Sequence, residues 1–140
     1  KMAYDRQDYE NSLTAFNEVI RLSDNEQTAE ARYLKAYIFY LRRDLERAQE
    51  ICINANKESS GYPFWVAKSV ILLSDILREK GDLYNARAAL EALLENYDGD
   101  QKLVSEAREK LQTINSLINQ SSRLNTSPED DGFMDTDGGQ

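Results

Sequence analysis

Histidine is absent from the 140 residues, cysteine and tryptophan occur once each, and proline occurs twice. Without histidine the chain lacks the commonest general base, the commonest metal ligand and every histidine-dependent nucleophilic triad. One thiol cannot close a disulfide within the chain, and one cysteine without histidine excludes a zinc site of the usual composition. No apolar run approaches the roughly 20 residues that cross a bilayer, and the opening KMAYDRQDYE has no apolar signal-peptide core. Gly81 stands alone, so no glycine-rich phosphate loop is present. Basic charge is scarce as well: Lys and Arg number 17 against 25 Asp and Glu, a formal net charge of −8. The summed field repels a nucleic-acid backbone or an anionic membrane surface. The expectation is a soluble chain with no catalytic residues, no cofactor, no metal, no nucleic-acid partner and no membrane insertion.

What the chain does have is helical periodicity. With 41% hydrophobic and 30% charged residues it has the composition of one ordinary domain. The stretch from Ala67 to Asn96 places Val70, Leu73 and Leu77, with Leu72 and Ile76 beside them, on the face of one helix. A turn at Gly81-Asp82 leads into a second helix with Leu83, Ala86, Ala89, Leu90, Leu93 and Leu94 at spacings of three and four. That is a helical hairpin. Three segments share its second half: residues 8–25, 44–60 and 82–99 each begin with Asp, continue with an aromatic or Leu, and carry a small residue four places after the Asp. The small residues Ser12, Ala48 and Ala86 are 36 and 38 positions apart. About 34 residues with variable loops is the scale of one hairpin stacking on the next.

Helices at 28–42 and 63–80 precede the second and third segments, whereas only residues 1–7 precede the first, so the chain reads as part of a longer array. Asp24-Asn25 ends one hairpin and Thr28 is positioned to cap the next helix; Ser59-Ser60-Gly61 breaks the chain before Pro63, which suits a first helical turn. Residues 101–119 place Leu103, Val104, Ala107, Leu111, Ile114 and Ile118 at helical spacing, as a terminal helix covering the end of the stack requires. From Ser121 the periodicity stops. The segment carries five acids against Arg123 alone and includes Pro128 and three glycines, so it reads as a flexible tail. Its Phe133 and Met134 make either a short docking motif or plain linker. Its Asp131, Asp135 and Asp137 lack the spacing and the closing Glu of a calcium loop. Cys52, on the stripe Ala48, Ile51, Cys52 and Ala55, reads as a small core residue, and Glu91 with Glu95 as an ordinary polar helix face.

These residues resemble the tetratricopeptide repeat family. The matching positions are Tyr9, Ser12, Phe16 and Val19 in the first hairpin. In the second they are Ala36, Phe39, Leu45, Ala48, Cys52 and Ala55, and in the third Leu73, Ser74, Leu77, Gly81, Ala86, Leu90 and Leu93. The departures are Lys35 at a usually apolar place, Arg32 or Val70 at the usual Trp, and the absence of the terminal Pro. The run from Tyr62 to Tyr97 further resembles the C-terminal hairpins of large repeat proteins of Bacteroidetes-type bacteria. The resemblance implies an all-α, right-handed superhelix of antiparallel hairpins: a partial repeat at 1–25, repeats at 26–60 and 61–98, a capping helix at 101–119, and an acidic tail at 120–140.

Tyr33, Tyr37 and Tyr40 recur at four and three residues and form one stripe. Tyrosines give large contact area with a polar tip and are frequent in interfaces. The stripe either faces a partner or packs against the next hairpin, with Tyr33 and Tyr40 more groove-facing than Tyr37. By the resemblance, Glu30, Tyr33, Tyr37 and Tyr40 face a concave groove, joined by Lys68, Ile71, Asp75 and Arg78 from the following hairpin. Phe64 and Trp65 read as a seal against the preceding helix. The function this implies is a non-catalytic scaffold that binds a protein or peptide partner. The alternative is a structural, oligomerising end of a larger solenoid protein of the cell envelope, with a homo-oligomer as its form.

Overall fold

The turns decide where each helix of the chain starts and stops. In the computed structural model, which describes residues 6–139 and the side chains of residues 6–124, six helices follow one another. They are α1 (Arg6–Leu22), α2 (Glu26–Leu41), α3 (Leu45–Glu58), α4 (Pro63–Glu79), α5 (Leu83–Asn96) and α6 (Gln101–Gly139). No strand occurs among the described residues, and the all-α class expected from the periodicity holds.

In the second and third of the three similar segments the shared Asp is a helix N-cap, whereas Asp8 of the first lies within the first turn of α1. Asp44 accepts a hydrogen bond from the Arg47 N–H at 3.2 Å, and Asp82 accepts one from the Asn85 N–H at 3.3 Å. Asp100 does the same for Leu103 at the start of α6, at 3.1 Å. The cap of α2 is Asn25, and Thr28 has the reciprocal role three residues on. Asn25 Oδ1 accepts from the Thr28 N–H at 3.2 Å, while the Asn25 N–H donates to Thr28 Oγ1 at 3.0 Å. Thr28 is therefore the far half of a capping box, which moves the start of α2 back to Glu26. Pro63 stands in the first turn of α4, where a missing N–H costs nothing.

The turns after α2 and α4 are built alike. The Asp44 N–H donates to the Phe39 carbonyl at 2.9 Å and the Asp82 N–H to the Leu77 carbonyl at 2.8 Å, each closing a helix end through a residue with positive φ. That residue is Gly81 at φ 84° in the second turn and Arg43 at φ 67° in the first. Glycine adopts this conformation freely, whereas arginine does so at a cost.

Each helix packs on its neighbours in sequence, and α2 also touches α4, as α4 touches α6. Among the described residues α3 and α5 make no backbone approach to each other. Small residues stand at the closest places: Ala36, Ala48, Ala67, Ser74, Ala86 and Ala107 are all fully buried. Phe39, Leu72, Leu77, Leu90 and Ile114 fill the space between the helices, and Cys52 is buried among them, as its place on the stripe predicts. Leu103, Val104, Ala107, Ile114 and Ile118 are the buried face of α6. Helix α1 packs only on α2 and buries no residue fully.

The backbone of α6 stays helical past Asn119, where the sequence reading ended the helix and began the acidic tail. After Asn119 the first proline is Pro128 and the first glycine Gly132, so nothing local ends the helix at Asn119. Phe133, Met134 and the tail aspartates lie outside the residues whose side chains are described, and residues 1–5 lie outside the described residues altogether.

Arg32 reaches from α2 to the end of α3. Its Nη1 donates to the Glu58 carbonyl and to Ser59 Oγ, both at 3.0 Å, and its Nε lies 3.5 Å from Glu58 Oε1. A guanidinium there satisfies the last carbonyl of α3 and complements the negative end of its dipole.

Candidate functional site

The contacts of α4 with α2 and with α6 bring three rows of side chains together, each stepping along its helix by three or four residues. Tyr33, Tyr37 and Tyr40 come from α2; Lys68, Ile71 and Asp75 from α4; Leu103 and Glu106 from α6. With Leu72 they line an open cleft of about 320 Å³. Six of the eight residues expected from the sequence thus share one lining. Arg78 lies beside it, with Asp75, Glu109, Lys110 and Thr113 around a smaller hollow of about 210 Å³. Glu30 is half-buried on α2 and is not among the cleft-lining residues.

The tyrosines form a ladder. The ring centroids of Tyr33 and Tyr37 are 6.2 Å apart with planes 17° from parallel, and those of Tyr37 and Tyr40 are 6.3 Å apart at 28°. Tyr37 is the most exposed of the three at 39%, whereas Tyr33 and Tyr40 are half-buried against the core. The middle ring stands out and the outer two lean on the body, while all three line the cleft. Trp65 packs on Tyr33 at 5.9 Å, meets Phe64 edge to face at 4.9 Å, and donates its indole N–H to Glu26 Oε2 at 3.2 Å. It thereby joins the start of α4 to α2.

Charges surround the ladder. Lys68 Nζ lies 5.0 Å from the centre of the Tyr33 ring. Lys110 Nζ donates to both oxygens of Asp75, at 3.0 and 3.2 Å, and stands 3.8 Å from Glu106 Oε2. Glu79 takes a 2.6 Å hydrogen bond from Arg43 and a 3.2 Å one from the Tyr40 hydroxyl. The Arg43 bond holds the Glu79 carboxyl below its ordinary pKa. Burial pushes the Tyr33 hydroxyl up to about 12, with Tyr37, Glu106, Cys52 and Asp75 adding to it. Burial and then the Glu79 and Asp75 charges raise the Tyr40 hydroxyl too. Both phenols are neutral near pH 7. The Cys52 thiol, pushed up to about 12 by burial, is a packed apolar group rather than a nucleophile.

Sequence reasoning missed the contribution of α6. Leu103, Glu106 and Lys110 repeat the spacing of Lys68, Ile71 and Asp75. That parallel was available in the sequence, and reading α6 only as a cover for the end of the stack concealed it.

Among the described residues no helix is long and apolar enough to cross a membrane. Compared with family profiles, with curated proteins and with solved structures, the chain matches none.

Proposed function

We propose that this chain is a non-catalytic interaction module, a right-handed stack of tetratricopeptide-like hairpins that holds a protein or peptide partner in the groove along α2, α4 and α6. The observation that carries the reading is the shared lining: Tyr33, Tyr37, Tyr40, Lys68, Ile71 and Asp75, singled out by spacing and resemblance, border one open cleft. Neutral phenols, apolar floor residues and paired charges suit noncovalent contact. The alternation of contacts, with α2 on α4 and α4 on α6 but no approach of α3 to α5, supports a curved stack whose inner side is that cleft. The test compares Tyr37→Ala with Tyr84→Ala, which alters an outward ring on α5 that is 62% exposed. Loss of partner capture in the first alone, with thermal unfolding unchanged in both, supports the groove. Equal capture by both variants refutes it.

A second reading, a structural end that oligomerises within a larger solenoid, is favoured by one observation. Along α4 and α5 an apolar hollow of about 330 Å³ lies open, lined by Val66, Val70, Leu73, Ala89, Ala92 and Leu93, with Asn56 of α3 and Asn96 also bordering it. Sedimentation decides it. A monomer at all concentrations argues against that role, and association that Val70→Asp abolishes supports it.

A further inference from the structure

We propose that the cleft selects a basic peptide, with an arginine or lysine side chain of the partner lying against the tyrosine ladder and donating to the Glu106 carboxylate. The assignment rests on the groove reading given above and adds the partner's charge to it.

The chain already shows what the ladder holds. Lys68 Nζ sits 5.0 Å from the centre of the Tyr33 ring, so a cation of the protein itself occupies one of the three ring positions. The quadrupole of a tyrosine face attracts an ammonium or guanidinium at this range. Tyr37, the most exposed ring of the ladder, stands next to the seat that Lys68 takes. A partner's cation placed there meets the next ring of the same stack.

The carboxylates complete the site. Asp75 and Glu106 both line the cleft and share one ammonium, that of Lys110. Lys110 is bound closely to Asp75, at 3.0 Å, and only distantly to Glu106, at 3.8 Å. The Glu106 side chain is 48% exposed and is left with most of its hydrogen-bonding capacity for an incoming donor. A guanidinium that stacks on Tyr37 and donates to Glu106 uses a planar cation in both of its favoured ways. After burial, the carboxylates of Glu106 and Asp75 at the Tyr33 hydroxyl, and those of Glu79 and Asp75 at the Tyr40 hydroxyl, raise the two phenols, with Arg43 opposing at Tyr40. At longer range the net charge of −8 speeds the encounter with a cationic partner and disfavours an anionic one.

Lys68 makes the assignment sharply testable, because its removal acts with opposite sign on partners of opposite charge. Lys68→Ala empties the seat on Tyr33 and removes a repulsive charge, so it strengthens a basic ligand and weakens an acidic one. The experiment measures fluorescence anisotropy of three degenerate peptide pools of equal length, enriched in Arg and Lys, in Asp and Glu, or in uncharged residues. Each is titrated with the full chain and with its Lys68→Ala, Glu106→Gln and Tyr37→Ala variants. Circular dichroism and thermal unfolding confirm that each variant is folded.

The basic pool is expected to bind the parent chain best. Tyr37→Ala and Glu106→Gln should weaken it roughly fivefold each, Lys68→Ala should tighten it severalfold, and added salt should weaken it. Two results overturn the proposal in distinguishable ways. If the acidic or uncharged pool binds best and Tyr37→Ala abolishes that binding, the charge assignment is wrong and the groove reading stands. If no pool responds to Tyr37→Ala, both are wrong.

Discussion

Removing the Lys110 ammonium tests how α6 is held against α4. Lys110 joins α6 to Asp75 of α4 through two hydrogen bonds, with side chains 27% and 25% exposed. At about 3 Å, Coulomb attraction between unit charges is roughly 1.4 kcal/mol at the dielectric of water and roughly 5.5 kcal/mol at an effective value of 20. Partial desolvation of both ions and the ordering of the lysine chain oppose this. Exposed pairs retain at most about 1 kcal/mol, and breaking a fully buried pair costs about 3–5 kcal/mol. A pair one-quarter exposed falls between, and a coupling energy of about 1–2 kcal/mol follows. The assay is a double-mutant cycle of Lys110→Met and Asp75→Asn by urea unfolding, followed by circular dichroism. The coupling should persist, somewhat reduced, in high salt, because a part-buried pair is only partly screened. A coupling below about 0.3 kcal/mol would refute the reasoning and leave the apolar face of α6 as its sole attachment.

Three further outcomes follow from the packing and the turns. Leu90, fully buried on α5, should cost about 3 kcal/mol when replaced by Ala, read as a shift in urea midpoint with unchanged slope. Gly81→Ala should cost about 1 kcal/mol through backbone strain alone, since nothing lies within 4 Å of the added carbon, and Arg43→Gly should raise the unfolding temperature by relieving the same conformation. Cys52 and Tyr33 ionise near 12 in the folded chain against ordinary values of 9.0 and 10.0, so the unfolded chain loses these protons first. Their contribution to stability is complete below about pH 9 and declines as pH rises from there toward 12, which thermal unfolding across that range will register.

Most of the helical architecture was legible in the sequence because it is carried by local chemistry. Asp44 and Asp82 announce their helices by capping them, Gly81 and Pro63 mark a turn and a start, and the apolar positions expected on α6 are buried except Leu111, which is half-buried. The tyrosine stripe was legible as a stripe, since its period alone puts three rings on one side of α2. What escaped was long-range or sterically unusual. Arg43 takes a left-handed conformation that its residue type argues against, and only the matched turn at Gly81 hints at it. Arg32 clamps the end of α3, a partnership between residues 26 positions apart that no local period encodes. The relative exposure of the three tyrosines, and the part of α6 in the cleft, depend on how α2, α4 and α6 lean together.

The central claim is that the face built from α2, α4 and α6 is where a partner binds. Site-specific photocrosslinking tests it most directly, with the photoreactive residue placed at position 37 in one protein and at position 84, on the outer side of α5, in another. Crosslinking of a partner from position 37 and not from position 84 is the predicted result. Crosslinking from position 84 with none from position 37 would contradict the account.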